Sequence, residues 1–268
     1  VKRIVIVSDL QMPLEHKAAN RNLINFIHDY QPDEVINIGD ITDYTAPGRW
    51  SAGKRAEYGM SVKEEAGYTV ANHVRPLRKG YDKKVTLLGS NHGERPHKYL
   101  VERCPAMYDE VIFQEPHLLR LDEFGIDFEP LKYDFAPGWT ATHGHAKGIS
   151  LSRFAGGTAM NAARKFQKNV VCGHTHRAGI ISESSGEFAT RQLTGVEVGC
   201  LMDIKKASYL GAAGFGNWQL AFGLFYVNGG RVSPNIIDVE RDGSFMVEGE
   251  VYGAVKRNAL GRFARSAT

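Results

Sequence analysis

The segment Arg3-Ile-Val-Ile-Val7-Ser8-Asp9-Leu10-Gln11 decides the architecture. Four β-branched residues in a row read as a strand buried on both faces, and the run breaks at once into Ser8, Asp9 and Gln11. The same form recurs twice. Val35-Ile-Asn-Ile38 ends in Gly39-Asp40, with Asp43 close behind, and Val85-Thr-Leu-Leu88 ends in Gly89-Ser90-Asn91-His92. Between these runs, residues 16–30 place Leu23, Ile24, Phe26, Ile27 and Tyr30 at helical spacing until Gln31-Pro32-Asp33 stops them. Val62, Ala66, Val70, Val74 and Leu77 predict a second helix. Strands alternating with helices predict α/β layering with a mainly parallel sheet.

Further along, Trp139–Thr142 and Val170–Cys172 read as strands around a helix over residues 152–168. The last third changes character. Ile180-Ile181, Val196–Val198, Leu220–Val227, Val232–Val239 and Phe245–Val251 are strand-like. They are punctuated by Ser185-Gly186, Asn228-Gly229-Gly230 and Asp242-Gly243, the last two being hairpin signals. The fold class expected is therefore α/β, a two-sheet β-sandwich flanked by helices. Residues 1–252 read as one domain and 253–268 as a basic C-terminal tail carrying Lys256, Arg257, Arg262 and Arg265.

The 268 residues are 43% hydrophobic and 24% charged, which suits a full globular core and excludes a disordered or fibrous chain. The net charge of +3 resides in the tail, and the rest of the chain stands at −1, so bulk charge does not announce a nucleic-acid binder. Three widely spaced cysteines without a C-x-x-C argue against a disulfide framework or a cysteine zinc site and fit a reducing compartment. The apolar run Leu220–Val227 is far short of the roughly 20 residues of a membrane helix. The run Ile4–Val7 is too short for a secretory core. A cytoplasmic protein with no membrane partner is the expectation.

Each expected core strand ends in a residue able to bind metal: Asp9 and Gln11, Asp40, Asn91 and His92, His143 and His145, His174 and His176. In an open α/β sheet, ligands bind beyond the carboxyl ends of the strands. If the backbone there is extended, each i, i+2 pair aims two donors at one point. Carboxylates, amide oxygens and imidazoles suit Mn²⁺, Fe or Zn²⁺ rather than copper. The donors exceed the needs of one ion, and two ions about 3.5–4 Å apart would use them all. Asp40, central in the series, is then the natural bridge.

In this order, Asp9-x-Gln11, Gly39-Asp40, Gly89-Ser90-Asn91-His92, Thr142-His143-Gly144-His145 and Gly173-His174-Thr175-His176 resemble the signature of calcineurin-like metallophosphoesterases. The combination is most similar to phage and bacterial members with Gln in the first motif. The stretch from Asp43 to Trp50 and the segment Asn217-Trp218-Gln219 share that likeness. The resemblance implies a four-layer αββα fold and two divalent ions, Mn²⁺ first, with Zn²⁺, Fe, Mg²⁺ and Ni²⁺ as alternatives. It implies one ion held by Asp9, Gln11, Asp40 and His176, a second held by Asp40, Asn91, His143 and His174, and His92 as the acid that protonates the leaving oxygen. Two departures stand out. Gln11 replaces an imidazole and predicts a weaker first site, and Gly93 stands where an acid usually follows the His, with Glu94 one place later.

Two dications lower the pKa of a shared water and provide a hydroxide for in-line attack on a phosphate ester. An imidazole can then protonate the departing alkoxide. The expected activity is phosphodiester hydrolysis, on small nucleotide diesters such as cyclic nucleotides. A DNA or RNA nuclease, a phosphomonoesterase or protein phosphatase, and an inert metal-binding module that recognises a phosphorylated partner stay open, as does an oligomer.

Several features have plainer readings. Gly48-x-x-x-x-Gly53-Lys54 imitates a phosphate loop, but Arg55 stands where Ser or Thr is needed and no strand leads into it. Arg49 and Arg55 are kept as a basic rim for substrate phosphate, and His145 as a phosphate-facing or supporting donor. Gly211–Gly216 lacks G-x-G-x-x-G order and reads as a loop. His16, His28, His73, His97 and His117 read as surface or structural.

Overall fold

The computed structural model describes residues 1–49, 51–207 and 216–253. Trp50, residues 211–215 of the Gly211–Gly216 segment and residues 254–268 of the basic tail lie outside the described residues. The strands are β1 (Lys2–Val7), β2 (Glu34–Asn37), β3 (Lys84–Leu88), β4 (Asp127–Glu129), β5 (Lys132–Ala136), β6 (Trp139–Thr142) and β7 (Asn169–Cys172). They continue with β8 (Ala178–Ser185), β9 (Arg191–Val198), β10 (Ala221–Asn228), β11 (Arg231–Asp238), β12 (Phe245–Val247) and β13 (Glu250–Tyr252). The helices are α1 (Lys17–Tyr30), α2 (Val62–Thr69), α3 (Arg75–Lys79), α4 (Arg95–Arg103), α5 (Glu115–Leu118) and α6 (Gly157–Phe166).

One sheet has the order β11-β10-β1-β2-β3-β4, with β1 to β4 parallel and β10 and β11 antiparallel. The other has the order β5-β6-β7-β9-β8, with β6, β7 and β9 parallel. The two-residue alternation of β1 creates two cores. Val5 and Val7 face Leu23, Phe26 and Ile27 of α1 and Val70, Val74 and Leu77 of the α2–α3 region. Ile4 and Ile6 face the second sheet, against Val171 and Val196, with Phe225 of the neighbouring β10 in the same cluster. Ala159, Met160, Ala162 and Ala163 of α6 cover the outer face of that sheet at Val170 and Cys172. The layers are thus helix, sheet, sheet, helix, and the fold class read from the sequence is the one observed. Truncating Ile6 or Ile36, both buried between the sheets, to Ala costs roughly 2–5 kcal/mol.

Two local expectations are corrected and others are refined. The helix expected over 152–168 spans only Gly157–Phe166. Its start is set by the buried Glu197 of β9, whose carboxylate accepts from Gly156 N at 3.0 Å and Thr158 N at 2.9 Å. The helix from Val62 runs to Lys79 through a π turn at Val70–Val74. The single strand expected over Phe245–Val251 is the β12–β13 hairpin, turning at Glu248 and Gly249, both with positive φ. The short polar elements β4, α4 and α5 carry no periodic apolar pattern and were not expected. Among the described residues, no helix is long and apolar enough to cross a membrane.

Candidate metal centre

Five parallel strands deliver their carboxyl ends to one edge of the sandwich: β1, β2 and β3 from one sheet, β6 and β7 from the other. Backbone hydrogen bonds tie the turns together. Asp9 N donates to Gly39 O at 3.1 Å, Gln11 N to Asp40 O at 2.9 Å and Gly173 N to His143 O at 3.2 Å. Gly39 has φ of +105°, and a Cβ there would lie 2.5 Å from Ser90 Cβ and 3.0 Å from His143 Nδ1. Only glycine lets these three turns meet.

The extended i, i+2 geometry expected for the motif pairs is not what brings the donors together. Asp9, Gln11, Asp40, His174 and His176 have φ of 53°, 47°, 51°, 67° and 59°. They account for five of the twelve described non-glycine residues with positive φ. Tight left-handed turns, each costing on the order of 1–3 kcal/mol, aim the side chains back across the strand ends.

The expected donors form two adjoining groups. In the first, Asp9 Oδ1 lies 3.1 Å from His176 Nε2, and the Gln11 amide nitrogen lies 3.0 Å from the same atom. In the second, Asp40 Oδ2 lies 3.3 Å and Asn91 Oδ1 3.0 Å from His143 Nε2. Asp40, His143 and His174 each offer a donor atom within 4.8 Å of the others. The groups touch where His174 N donates to Asp9 Oδ2 at 2.9 Å.

These separations fit a cation. Two donors roughly 2.1 Å from one ion and at right angles to each other sit about 3 Å apart. His143 donates through Nδ1 to the Ile38 carbonyl at 2.9 Å, which leaves Nε2, once its proton is displaced, as the nitrogen that would face a cation beside Asp40. Gln11 Oε1 is buried without a hydrogen-bond partner, as an oxygen reserved for another ligand would be.

The electrostatics point the same way. Burial alone would raise the Asp9 and Asp40 carboxyls, but His176 beside Asp9 and His143 and His92 beside Asp40 outweigh it and hold both below the ordinary range. Burial opposes charge on the imidazoles, yet Asp40 lifts His143 to about 9 and Asp9 lifts His176 to about 10. His174 is pushed down to about 4 by burial and by the neighbouring His143.

His92 stands beside the second group, with Nε2 3.6 Å from Asp40 Oδ2. Its Nδ1 faces the Asp43 carbonyl at 3.0 Å and Asp43 Oδ1 at 3.1 Å. The acid that orients His92 is therefore Asp43. Glu94 pairs instead with Lys98 and with His145, whose Nε2 is 3.9 Å away. Contact with His145 and then Lys98 holds the Glu94 carboxyl down at about 2. The His145 ring centroid is 5.3 Å from that of His143 and 6.4 Å from that of His174. Arg49 and Arg55 are exposed, Arg55 opening a 3₁₀ turn over Arg55–Tyr58.

Three residues at the centre escaped sequence reasoning. Arg95 donates to His92 Nε2 and to the Asp43 carbonyl, both at 2.7 Å. Trp218 packs its ring 4.1 Å from that of His176, in a segment noted only for its likeness. Glu115, on α5, is buried with neither oxygen hydrogen-bonded, and a Cβ at position 93 would collide with its carboxylate. Burial first, and then Asp40, push that carboxyl up to about 8. Gly93, in the place of the usual acid, was its one signal in the sequence.

No family model matches the chain. Over 253 residues, 94% of the chain and 98% of the relative, it is 40% identical to the Gene 54 protein of Mycobacterium phage L5. The Gene 54 protein of Mycobacterium phage D29 is 39% identical over the same shares. The chain belongs to the Gene 54 protein family of mycobacteriophages. An alignment of that length is too long to omit either sheet, so the Gene 54 likeness covers the architecture as a whole. Among solved structures, vacuolar protein sorting 29 of Cryptosporidium parvum is 15% identical and covers 93% of the chain and 97% of its own length at a TM-score of 0.48. Yfce, a phosphoesterase from E. coli, is 14% identical over 91% and 97% at 0.44.

Proposed function

We propose that the protein is a metal-dependent phosphoesterase that holds two divalent ions and hydrolyses phosphodiesters. One observation carries the reading: acid, amide and imidazole donors from five strand ends lie about one ligand–ligand distance apart, in two adjoining groups. Asp9, Gln11 and His176 would hold one ion and Asn91, His143 and His174 the other, with Asp40 shared. Mn²⁺ suits the oxygen-rich set best. Divalent ions at these donors would bring the pKa of water toward neutrality and neutralise phosphoryl oxygens.

The chain's own residues supply the rest. Asp43 holds the His92 ring by Nδ1, so Nε2 is directed at the Asp40 side, where a leaving oxygen would take a proton. The turns at Asp9, Asp40 and His176 are fixed by backbone hydrogen bonds, so the donors meet substrate already oriented. The near-neutral body of the chain favours small nucleotide diesters over long nucleic acids, and the phage relatives favour action in a host cytoplasm.

The test is hydrolysis of bis-p-nitrophenyl phosphate by metal-stripped protein titrated with Mn²⁺ and with Zn²⁺, wild type beside Asp40→Asn. Metal-dependent turnover lost in the variant supports the diesterase. Metal binding without turnover of this diester or of p-nitrophenyl phosphate would favour the inert module, whose support is the Gln11 amide nitrogen facing His176.

A further inference from the structure

Arg95 has no place in the sequence reading, yet it closes the site on the His92 side. It lies at the first position of α4, three residues after His92, and its backbone N donates to the His92 carbonyl at 3.0 Å. The guanidinium is thereby folded back onto the centre. One terminal nitrogen donates to the Asp43 carbonyl and lies 3.6 Å from Asp43 Oδ1, and the other donates to His92 Nε2. Because Nδ1 of His92 faces Asp43, Nε2 is the acceptor of that bond. Two of the five guanidinium hydrogens are used. The side chain is 23% exposed, which leaves the Nε–H and one hydrogen on each terminal nitrogen for a ligand arriving from solvent.

The charge pattern explains what that ligand is. Asp9, Asp40 and Asp43 line the centre, and Arg95 is a permanently charged group placed beside Asp43 and His92. A guanidinium donating to a ring nitrogen is charged on the donor side alone, whereas on a phosphoryl oxygen both partners carry charge and two parallel bonds can form, which makes the second contact the stronger. An anionic phosphoryl group entering beside Asp40 would therefore win the competition for Arg95.

Resting on the phosphoesterase reading, we propose that Arg95 is a substrate-binding residue of this site. Its guanidinium turns from His92 Nε2 to hold a non-bridging oxygen of the substrate's phosphoryl group.

The experiment compares the full chain, wild type, Arg95→Lys and Arg95→Met, each loaded with Mn²⁺ and matched for bound metal by elemental analysis. Inorganic phosphate is titrated calorimetrically into each, and kcat and KM are measured on bis-p-nitrophenyl phosphate. The expected result is at least a tenfold loss of phosphate affinity and a tenfold rise in KM for Arg95→Met, with partial recovery in Arg95→Lys. If Arg95 only steadies His92, kcat falls while KM and phosphate affinity stay at wild-type values, and the proposal is overturned. Wild type that turns over no diester would sink the diesterase reading, but the titration still decides on Arg95. Affinity lost in Arg95→Met sustains the anion contact, and equal or absent binding in all three proteins ends it.

Discussion

The two halves of the candidate centre use the same chemistry in different hands. Each pairs a buried aspartate with an imidazole lifted well above its usual range, His176 against Asp9 and His143 against Asp40. They differ in the amide. Asn91 turns its oxygen to His143, whereas Gln11 turns its nitrogen to His176 and leaves Oε1 without a partner. The second half also has His174 within donor range and His92 at its edge. One half already turns its amide oxygen toward the imidazole it shares a site with. The other must rotate an amide first, so the affinities of the two halves are expected to be unequal.

The severest test of this division is Asp40→Asn. Removing the shared charge should weaken metal binding in both halves and lower diester turnover roughly 10³-fold or more. An unchanged rate would show that Asp40 does not link the halves. Next, His92→Ala should lose about 10²–10⁴ in kcat with bound metal retained. Asp43→Asn should lose on the order of 10–100-fold by releasing the ring. Bound metal that fell along with kcat in His92→Ala would place His92 among the ligands.

The amide difference is sharpened at Gln11. Gln11→Ala should weaken one of the two binding steps roughly tenfold and spare the other, and Gln11→His should tighten zinc in that step. Equilibrium dialysis with elemental analysis reads both. Equal weakening of the two steps would erase the distinction between the halves.

Proton release gives a smaller and independent signal. His143 and His176 hold protons up to about 9 and about 10 in the metal-free protein, so cation binding at neutral pH must displace them. Affinity should rise with pH up to those values, with close to two protons released per fully loaded chain at pH 7. His174, already neutral above about 4, should add none. A pH-stat titration releasing no protons would break the two ion pairs assigned here.

The smallest effect is expected at Glu115→Gln. The folded carboxyl keeps its proton to about 8, whereas the unfolded chain releases it near 4.5. Between those values the folded state binds the extra proton, so stability falls as pH rises. In metal-free protein the variant should melt a few degrees higher than wild type at pH 8, with the gap closing at pH 4. A gap independent of pH would mean that Glu115 is ionised in the fold.

The donors were legible because parallel β-strands carry short apolar runs and place whatever follows them at one edge. Asp9, Asp40, Asn91, His143, His174 and His176 could be found that way, since local pattern and position along the chain are enough. Asp43, Arg95 and Glu115 were placed less well. Asp43 was noted, but its pairing with His92 crosses 49 residues. Arg95 is adjacent to the motif in sequence, yet a cation at a helix start reads as solvated until the loop carrying Asp43 is seen beneath it. Glu115 comes from a four-residue helix with no periodicity to announce it.

The sequence by itself determined the layers, because two-residue and helical periodicities of apolar side chains decide which faces must be buried. It also determined which donor types stand at the strand ends. Tertiary structure alone decided how those donors face one another. Left-handed turns at Asp9, Gln11, Asp40, His174 and His176 are held by backbone hydrogen bonds from neighbouring turns, and the modest left-handed preference of Asp and His does not select them by itself. The orienting acid of His92, the closure by Arg95 and the carboxyl in the gap left by Gly93 likewise depend on segments distant along the chain, brought together when the two sheets pack.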